Sequence, residues 1–232
     1  MEQIYTIPVN EEFDKSISDK SCGCAFCSLY KKLEFNELDL ILGAAMMEPA
    51  TRIETNQKGF CKEHFNMLVT GKNRLSLALI LESHLDELKD HIKGSFLNTI
   101  TKTKGKNALK TAGKVNSSCF ICDKIEANFS KMIETAVLLW QTSSDFRIKL
   151  KSQPYFCLPH YQRILKYAKD KLTRSEFENF YEDISSVENA YLEKLKKDVS
   201  WFCKKFDYRY DSEPWYDSKD AIERAILFLS GK

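Results

Sequence analysis

CAFCSLYKKLEFNELDLILGAAM, residues 24–46, joins a C-x-x-C pair directly to sequence that reads as a helix of about five turns. A second copy of this plan, CFICDKIEANFSKMIETAVLLWQ, occupies residues 119–141. Each copy is followed by a C-x-x-H: CKEH at 61–64 and CLPH at 157–160. The gap from Cys27 to Cys61 is 34 positions, and from Cys122 to Cys157 it is 35. The flanks match too, with Gly59-Phe60-Cys61 beside Tyr155-Phe156-Cys157 and His64-Phe65 beside His160-Tyr161. Such an internal repeat outranks any local propensity as a guide to the fold.

The spacing has a direct chemical reading. Two ligands three residues apart share one side of a tight turn or of a helix's first turn, where both reach one ion at about 2.0–2.3 Å. Two such half-sites complete a tetrahedron. Thiols near a helix N-terminus are also easier to ionise, because exposed N–H groups favour negative charge there. Zinc fits three sulfurs and one imidazole. Iron–sulfur clusters mostly take four thiolates, and a thioredoxin-like dithiol would need a βαβ setting that this sequence lacks. Reduced cysteines merely packed in a core would not give the same four-ligand pattern twice.

The expectation is therefore two zinc ions per chain, each held within one repeat. Cys24, Cys27, Cys61 and His64 would hold the first, and Cys119, Cys122, Cys157 and His160 the second. This pairing requires each chain segment to return after its helix. Residues 47–60, MEPATRIETNQKGF, and 142–156, TSSDFRIKLKSQPYF, would do so as largely extended segments.

Composition agrees with a helical, globular chain. Hydrophobic residues make up 43% and charged residues 29%, and breakers are scarce, at 8 Gly and 5 Pro. The formal charge is +2. Each site of three thiolates and one dication would carry about one net negative charge, which leaves no overall field to draw a polyanion. The start, MEQIYTIPVNEEFDK, lacks the apolar run of a signal peptide. No window approaches 18 uninterrupted apolar residues, so no membrane span is expected. These features indicate a cytoplasmic protein, whose thiols stay reduced.

Elsewhere, RLSLALILESHLDELKDHIKG (74–94) reads as a helix with a stripe of Leu77, Leu81, Leu85, Leu88 and Ile92, flanked by partly exposed His84 and His91. TKTKGKNALKTAGKVNSS (101–118) carries five lysines and no acid, and reads as a linker. Without arginine or an aromatic to stack on a base, it argues against nucleic acid. One long helix runs from Arg174 to about Phe206, with a stripe of Phe177, Phe180, Ile184, Val187, Tyr191, Leu195, Val199, Phe202 and Phe206. Cys203 sits at the edge of that stripe as a small buried hydrophobe, and Cys22 stays outside the first metal shell. The tail from 207, rich in Tyr208, Arg209, Trp215 and Tyr216, wraps back on the body. It ends in a short helix from about Ser218, capped by Asp217 or Ser218.

The fold class expected is all-α: two repeated helical units, each with a Cys3His zinc site, plus a long C-terminal helix and a wrapping tail. The domains would be residues 1–100 and 119–206 for the repeats, with 101–118 as linker and 207–232 as tail.

The sequence also resembles a bacterial family of paired C-x-x-C/C-x-x-H proteins known as a domain of unknown function. The resemblance rests on TIPV (6–9), RIETNQKGFCKEH (52–64), NRLSLAL (73–79) and KFDYRYDSEPW (205–215), and covers most of the chain. It implies the paired metal motifs and no particular activity. Members are sometimes labelled transporter substrate-binding proteins; this chain has neither an export signal nor the two α/β lobes such binders need.

Three functions fit these residues. The first is a zinc-stabilised helical module that binds a protein or small-molecule partner. The second is an enzyme or small-molecule binder using Arg52, Glu54, Asn56, Arg74 and His84 between the repeats, where Glu54 and His84 would converge for acid–base work. The third is a thiol redox or metal sensor. No catalytic residue can be assigned: the chain shows no nucleophile–base pair and no phosphate loop.

Overall fold

A computed structural model of the chain describes residues 3–93 and 105–231. Among these residues there are eleven α-helices and no strand. In chain order they are α1 (Thr6–Ser18), α2 (Ala25–Leu42), α3 (Pro49–Lys58), α4 (Lys62–Thr70), α5 (Arg74–Lys93), α6 (Lys106–Ser117), α7 (Phe120–Thr142), α8 (Ser144–Lys151), α9 (Leu158–Lys171), α10 (Arg174–Lys204) and α11 (Ala221–Ser230). The all-α class expected from the sequence is what the structure shows.

The chain forms two compact units. One comprises Met1–Lys31 with Phe129–Lys232, and the other Lys32–Asn128. The sequence suggested divisions at 100, 118 and 206. Contacts instead join the chain's first segment to its last and group the middle by itself, with the boundaries inside α2 and α7.

In the first unit the core is aromatic. Phe13 of α1, Phe26 of α2, Phe129 of α7, Phe146 of α8 and Phe156 are all fully buried. Phe13 meets Phe26 at 5.4 Å and Phe146 at 5.0 Å between ring centroids, and Phe26 meets Phe156 at 5.8 Å. Full burial of one such side chain stabilises by about 1.5–3 kcal/mol. Asp183 of α10 ties three helices together, accepting from Trp140 Nε1 of α7 at 2.9 Å and Arg147 Nε of α8 at 2.6 Å. Burial works against its charge, yet these donors and Lys151 hold its carboxyl below the ordinary value. α10 opens with a reciprocal capping box between Thr173 and Glu176. Its buried face is Phe180, Ile184, Val187 and Leu195. Phe206 lies beyond the helix and is exposed.

The tail folds back onto α10, as expected. Lys205, buried, donates from Nζ to the carbonyls of Tyr210 (2.7 Å), Asp211 (3.1 Å) and Glu213 (2.7 Å). Trp201 Nε1 donates to Pro214 O at 3.0 Å, and Trp215 packs on Phe202. α11 begins later than the sequence suggested, with Asp220 at its N-cap position. Ser218 donates instead to Trp215 O and closes a short 3-10 turn. Cys203 is exposed rather than buried.

In the second unit, α3 packs against α5 and both touch α6. Here the extended return segment is corrected, because RIETN lies within α3. Pro49 at the first turn and Gly59 at the end (φ +61°) give those ten residues a clean start and stop. The expected linker is also partly helical. Residues 94–104 lie outside the described residues, but Lys106–Ser117 form α6. The apolar stripe of α5 is shifted too. Leu77, Ile80 and His84 are buried, whereas Leu85 and Ile92 are exposed. His84 is thus packed, and only His91 stays partly open, 3.8 Å from Glu87.

Candidate metal centres

Four cysteines play the same local part. Cys24, Cys61, Cys119 and Cys157 each immediately precede a helix, and each lends its carbonyl to the amide four residues on. The amides are those of Ser28 (3.2 Å), Phe65 (2.9 Å), Asp123 (3.1 Å) and Tyr161 (2.9 Å). The second ligand of each motif then falls in the first helical turn. C-x-x-C and C-x-x-H are therefore one device used four times: an N-cap sulfur with a side chain one turn inward. This is the half-site geometry expected from the spacing.

The half-sites do not pair as expected. Cys24 and Cys27 meet Cys157 and His160, and Cys61 and His64 meet Cys119 and Cys122. Each cluster combines the C-x-x-C of one repeat with the C-x-x-H of the other. α2 rises about 27 Å over its eighteen residues. The segment after it is coiled into α3, whose ten residues rise about 15 Å, less than half the reach they have when extended. The same holds after α7, where the return is coiled into the eight-residue α8.

Local contacts fix the new partners. Ser118 Oγ donates to Lys58 O at 2.8 Å and the Phe120 amide to Gly59 O at 3.0 Å, which sets Cys119 beside Cys61. In the other unit, Gln153 Nε2 donates to Phe13 O at 3.0 Å, and Phe156 packs on Phe26. Together they seat the segment before Cys157 against the start of α2.

In each cluster the four ligand atoms lie within 4.8 Å of one another. In the first, Cys27 Sγ is 3.5 Å from Cys157 Sγ, and His160 Nδ1 is 3.7, 3.4 and 3.1 Å from Cys24, Cys27 and Cys157. In the second, Cys61 Sγ is 3.9 Å from Cys122 Sγ, and His64 Nδ1 is 3.2, 3.3 and 3.4 Å from Cys61, Cys119 and Cys122. A tetrahedron with metal–sulfur bonds of about 2.3 Å has sulfur–sulfur edges of about 3.8 Å and slightly shorter sulfur–nitrogen ones. The donor set and its spacing fit a tetrahedral ion in both places.

The clusters differ in their surroundings. All four ligands of the first are buried, and His160 stands against the rings of Phe129 (5.1 Å) and Phe26 (6.0 Å). In the second, Cys61 and Cys122 are partly exposed. Behind its histidine, Nε2 of His64 lies 3.3 Å from Glu34 Oε1 of α2. Nothing in KKLEFNELDL distinguishes Glu34 from Glu37, so this carboxylate was not readable from the sequence.

Burial and neighbouring sulfurs together oppose ionisation of Cys24, Cys122 and Cys157. Burial, reinforced by Cys157 and Cys27, pushes the Cys24 thiol far up, and burial with Cys119 and Cys61 does the same for Cys122. Cys157 is lowered by its contact with Cys24, but the Cys27 contact and burial outweigh this and bring it to about 12. A cation in the space between the sulfurs would favour loss of those protons.

Cys22 and Cys203 belong to neither cluster. Of the other candidates, Arg52, Asn56 and His84 do come together. Arg52 donates to Leu79 O (2.7 Å) and Ser83 Oγ (3.2 Å), Ser83 donates to Asn56 Oδ1 (2.9 Å), and His84 Nδ1 lies 2.8 Å from Asn56 O. Glu54 turns to Lys124 of α7 at 3.2 Å, and Arg74 is exposed at the first position of α5. Arg52, Asn56, Ser83 and His84 thus bolt α3 to α5.

The whole chain, residues 1–232, matches the model of a family of unknown function, DUF6062, and the protein belongs to that family. No curated protein matches the chain. No solved structure matches it either.

Proposed function

We propose that the protein is a two-zinc helical module that binds a protein or small-molecule partner, with both ions in a structural role. The observation that carries this is the gathering of eight ligand atoms into two Cys3His sets at tetrahedral spacing. A shell of four protein ligands leaves no coordination position for water or substrate. Its ion contributes folding free energy, about 10–16 kcal/mol in small finger peptides.

What would bind lies away from the ions. In the second unit, Phe35, Leu38 and Leu42 of α2 and Met67 of α4 line a groove of about 500 Å³, with Asp39 and Lys72 at its polar edge. Phe35 is 70% exposed. Ligand sites are mostly apolar clefts of this size with a few polar groups. No helix among the described residues is long and apolar enough to cross a membrane. A reducing cytoplasm suits unpaired thiols.

The enzyme reading draws no support from Glu54 and His84, whose side chains are committed to Lys124 and to Asn56 O. Metal analysis of the purified chain tests the main reading. Two zinc ions per chain are expected, and fewer than one, or iron instead, would overturn it.

A further inference from the structure

The two clusters have similar sulfur spacing and unequal access. Cys27 and Cys157 are 3.5 Å apart and both buried. Cys61 and Cys122 are 3.9 Å apart, and both are partly exposed. Cys119, the third sulfur beside them, is buried. Oxidation of cysteine follows thiolate character and exposure together. A cation-bound sulfur is a thiolate at any ordinary pH, so exposure decides which of the two clusters reacts.

Resting on the zinc reading above, we propose that the Cys61–His64–Cys119–Cys122 cluster is a peroxide-responsive zinc-release site, in which Cys61 and Cys122 become a disulfide while the buried cluster keeps its ion. The chemistry closes with hydrogen peroxide as the oxidant. One of the two partly exposed thiolates attacks peroxide. The O–O bond breaks, the sulfur takes one oxygen as sulfenic acid, and the other oxygen leaves as hydroxide and is protonated to water. The second thiolate attacks that sulfenic sulfur, the S–O bond breaks, and the oxygen again leaves as hydroxide to become water. Two thiolates lose two electrons, peroxide gains two, and two protons are consumed.

The sulfurs must close from 3.9 Å to about 2.05 Å. Each sits at or one turn inside a helix start, and rotation of both side chains brings the sulfurs toward one another. Cys61 is the N-cap of α4, and Cys122 is in the first turn of α7. Only Cys119 and His64 would then face the ion, too few to retain it. The disulfide then joins the start of α4 to α7 in place of the ion, and His64 and Cys119 lose their metal partner.

The test uses the full-length, zinc-loaded protein. Graded hydrogen peroxide is added with a chromogenic zinc chelator present, and disulfides are mapped by mass spectrometry of unreduced peptides. The expected result is release of one of the two ions, a Cys61–Cys122 disulfide in step with it, and recovery after a dithiol reductant and fresh zinc. Release of both ions together, release with a different disulfide, or retention of both ions at peroxide levels that oxidise exposed Cys203 would each overturn the proposal. A chain that carries no zinc before peroxide is added would overturn the zinc reading and this proposal together, and that outcome is read before the oxidant is used.

Discussion

Glu34 Oε1 stands 3.3 Å from Nε2 of His64, on the side of the ring opposite the sulfurs. The ring therefore has one nitrogen directed at the cluster and the other at a buried carboxylate. A carboxylate so placed behind a ligand ring orients it and strengthens its hold on a metal. Replacing Glu34 by Gln should weaken metal binding at this cluster by about 10–100-fold and leave the other unchanged. Competition titration with a chelator of known affinity would show one weakened and one unaltered site. Two unaltered sites would contradict this role.

The crosswise pairing makes a prediction that pairing within repeats does not. The double variant Cys24→Ser/Cys157→Ser damages one cluster twice and should retain one ion per chain. Cys24→Ser/Cys61→Ser damages both clusters and should retain none. If the two stoichiometries were reversed, the within-repeat pairing first expected from the sequence would stand after all.

Glu188 gives the fold a dependence on pH. It is buried on α10, and neither oxygen meets a well-formed hydrogen bond. Burial raises its carboxyl to about 8, and the Phe156 backbone offsets this only in part. The unfolded chain releases this proton near 4.5, well before the folded one does. Stability should therefore fall as pH rises from about 4.5 to about 8 and level off above, at about 1.4 kcal/mol per unit within that window. Glu188→Gln should be the more stable protein at pH 9, with the gap closing toward pH 5. Denaturant unfolding of both proteins with zinc in excess measures it.

Lys205 holds the tail by three carbonyls at once. Lys205→Met keeps the aliphatic stem and removes all three bonds, at a cost of about 2 kcal/mol or more. The segment from Tyr208 to Tyr216 should then become open to protease and the emission of Trp201 and Trp215 should shift to the red, with both ions retained. Unchanged cleavage would show that Trp215 packing alone secures the tail.

The helical class and the half-sites were legible in the sequence because each depends on a few neighbouring residues. A C-x-x-C or C-x-x-H at a helix start behaves the same way wherever it occurs. Pairing between half-sites depends on where whole helices carry the chain. That turned on whether 49–58 was extended or helical. The polar residues of RIETN suggested a loop, but Pro49 and Gly59 bracket a helix whose Arg52 and Asn56 face α5. On α5, leucines at steps of three and four suggested the inner face, yet Leu85 and Ile92 are exposed and His84 is inside. Its imidazole is satisfied there by Asn56 O, a partner no periodicity reveals. Glu34 was hidden for the same reason, since its importance comes from a histidine thirty residues away.

The crosswise pairing also makes the two clusters nested. Cys61 and Cys122 close 61 residues of chain, and Cys27 and Cys157 close 130 residues that contain the first loop entire. During synthesis the inner ring can complete once residue 122 has emerged. The outer one must wait for residue 160, with residues 24–27 left unmatched meanwhile. Neither tandem copy owns a complete site, so cutting the gene between them would leave two fragments that each lack a finished shell. The duplication visible in the sequence is divided differently in the folded chain, where each compact unit takes one half-site from each copy.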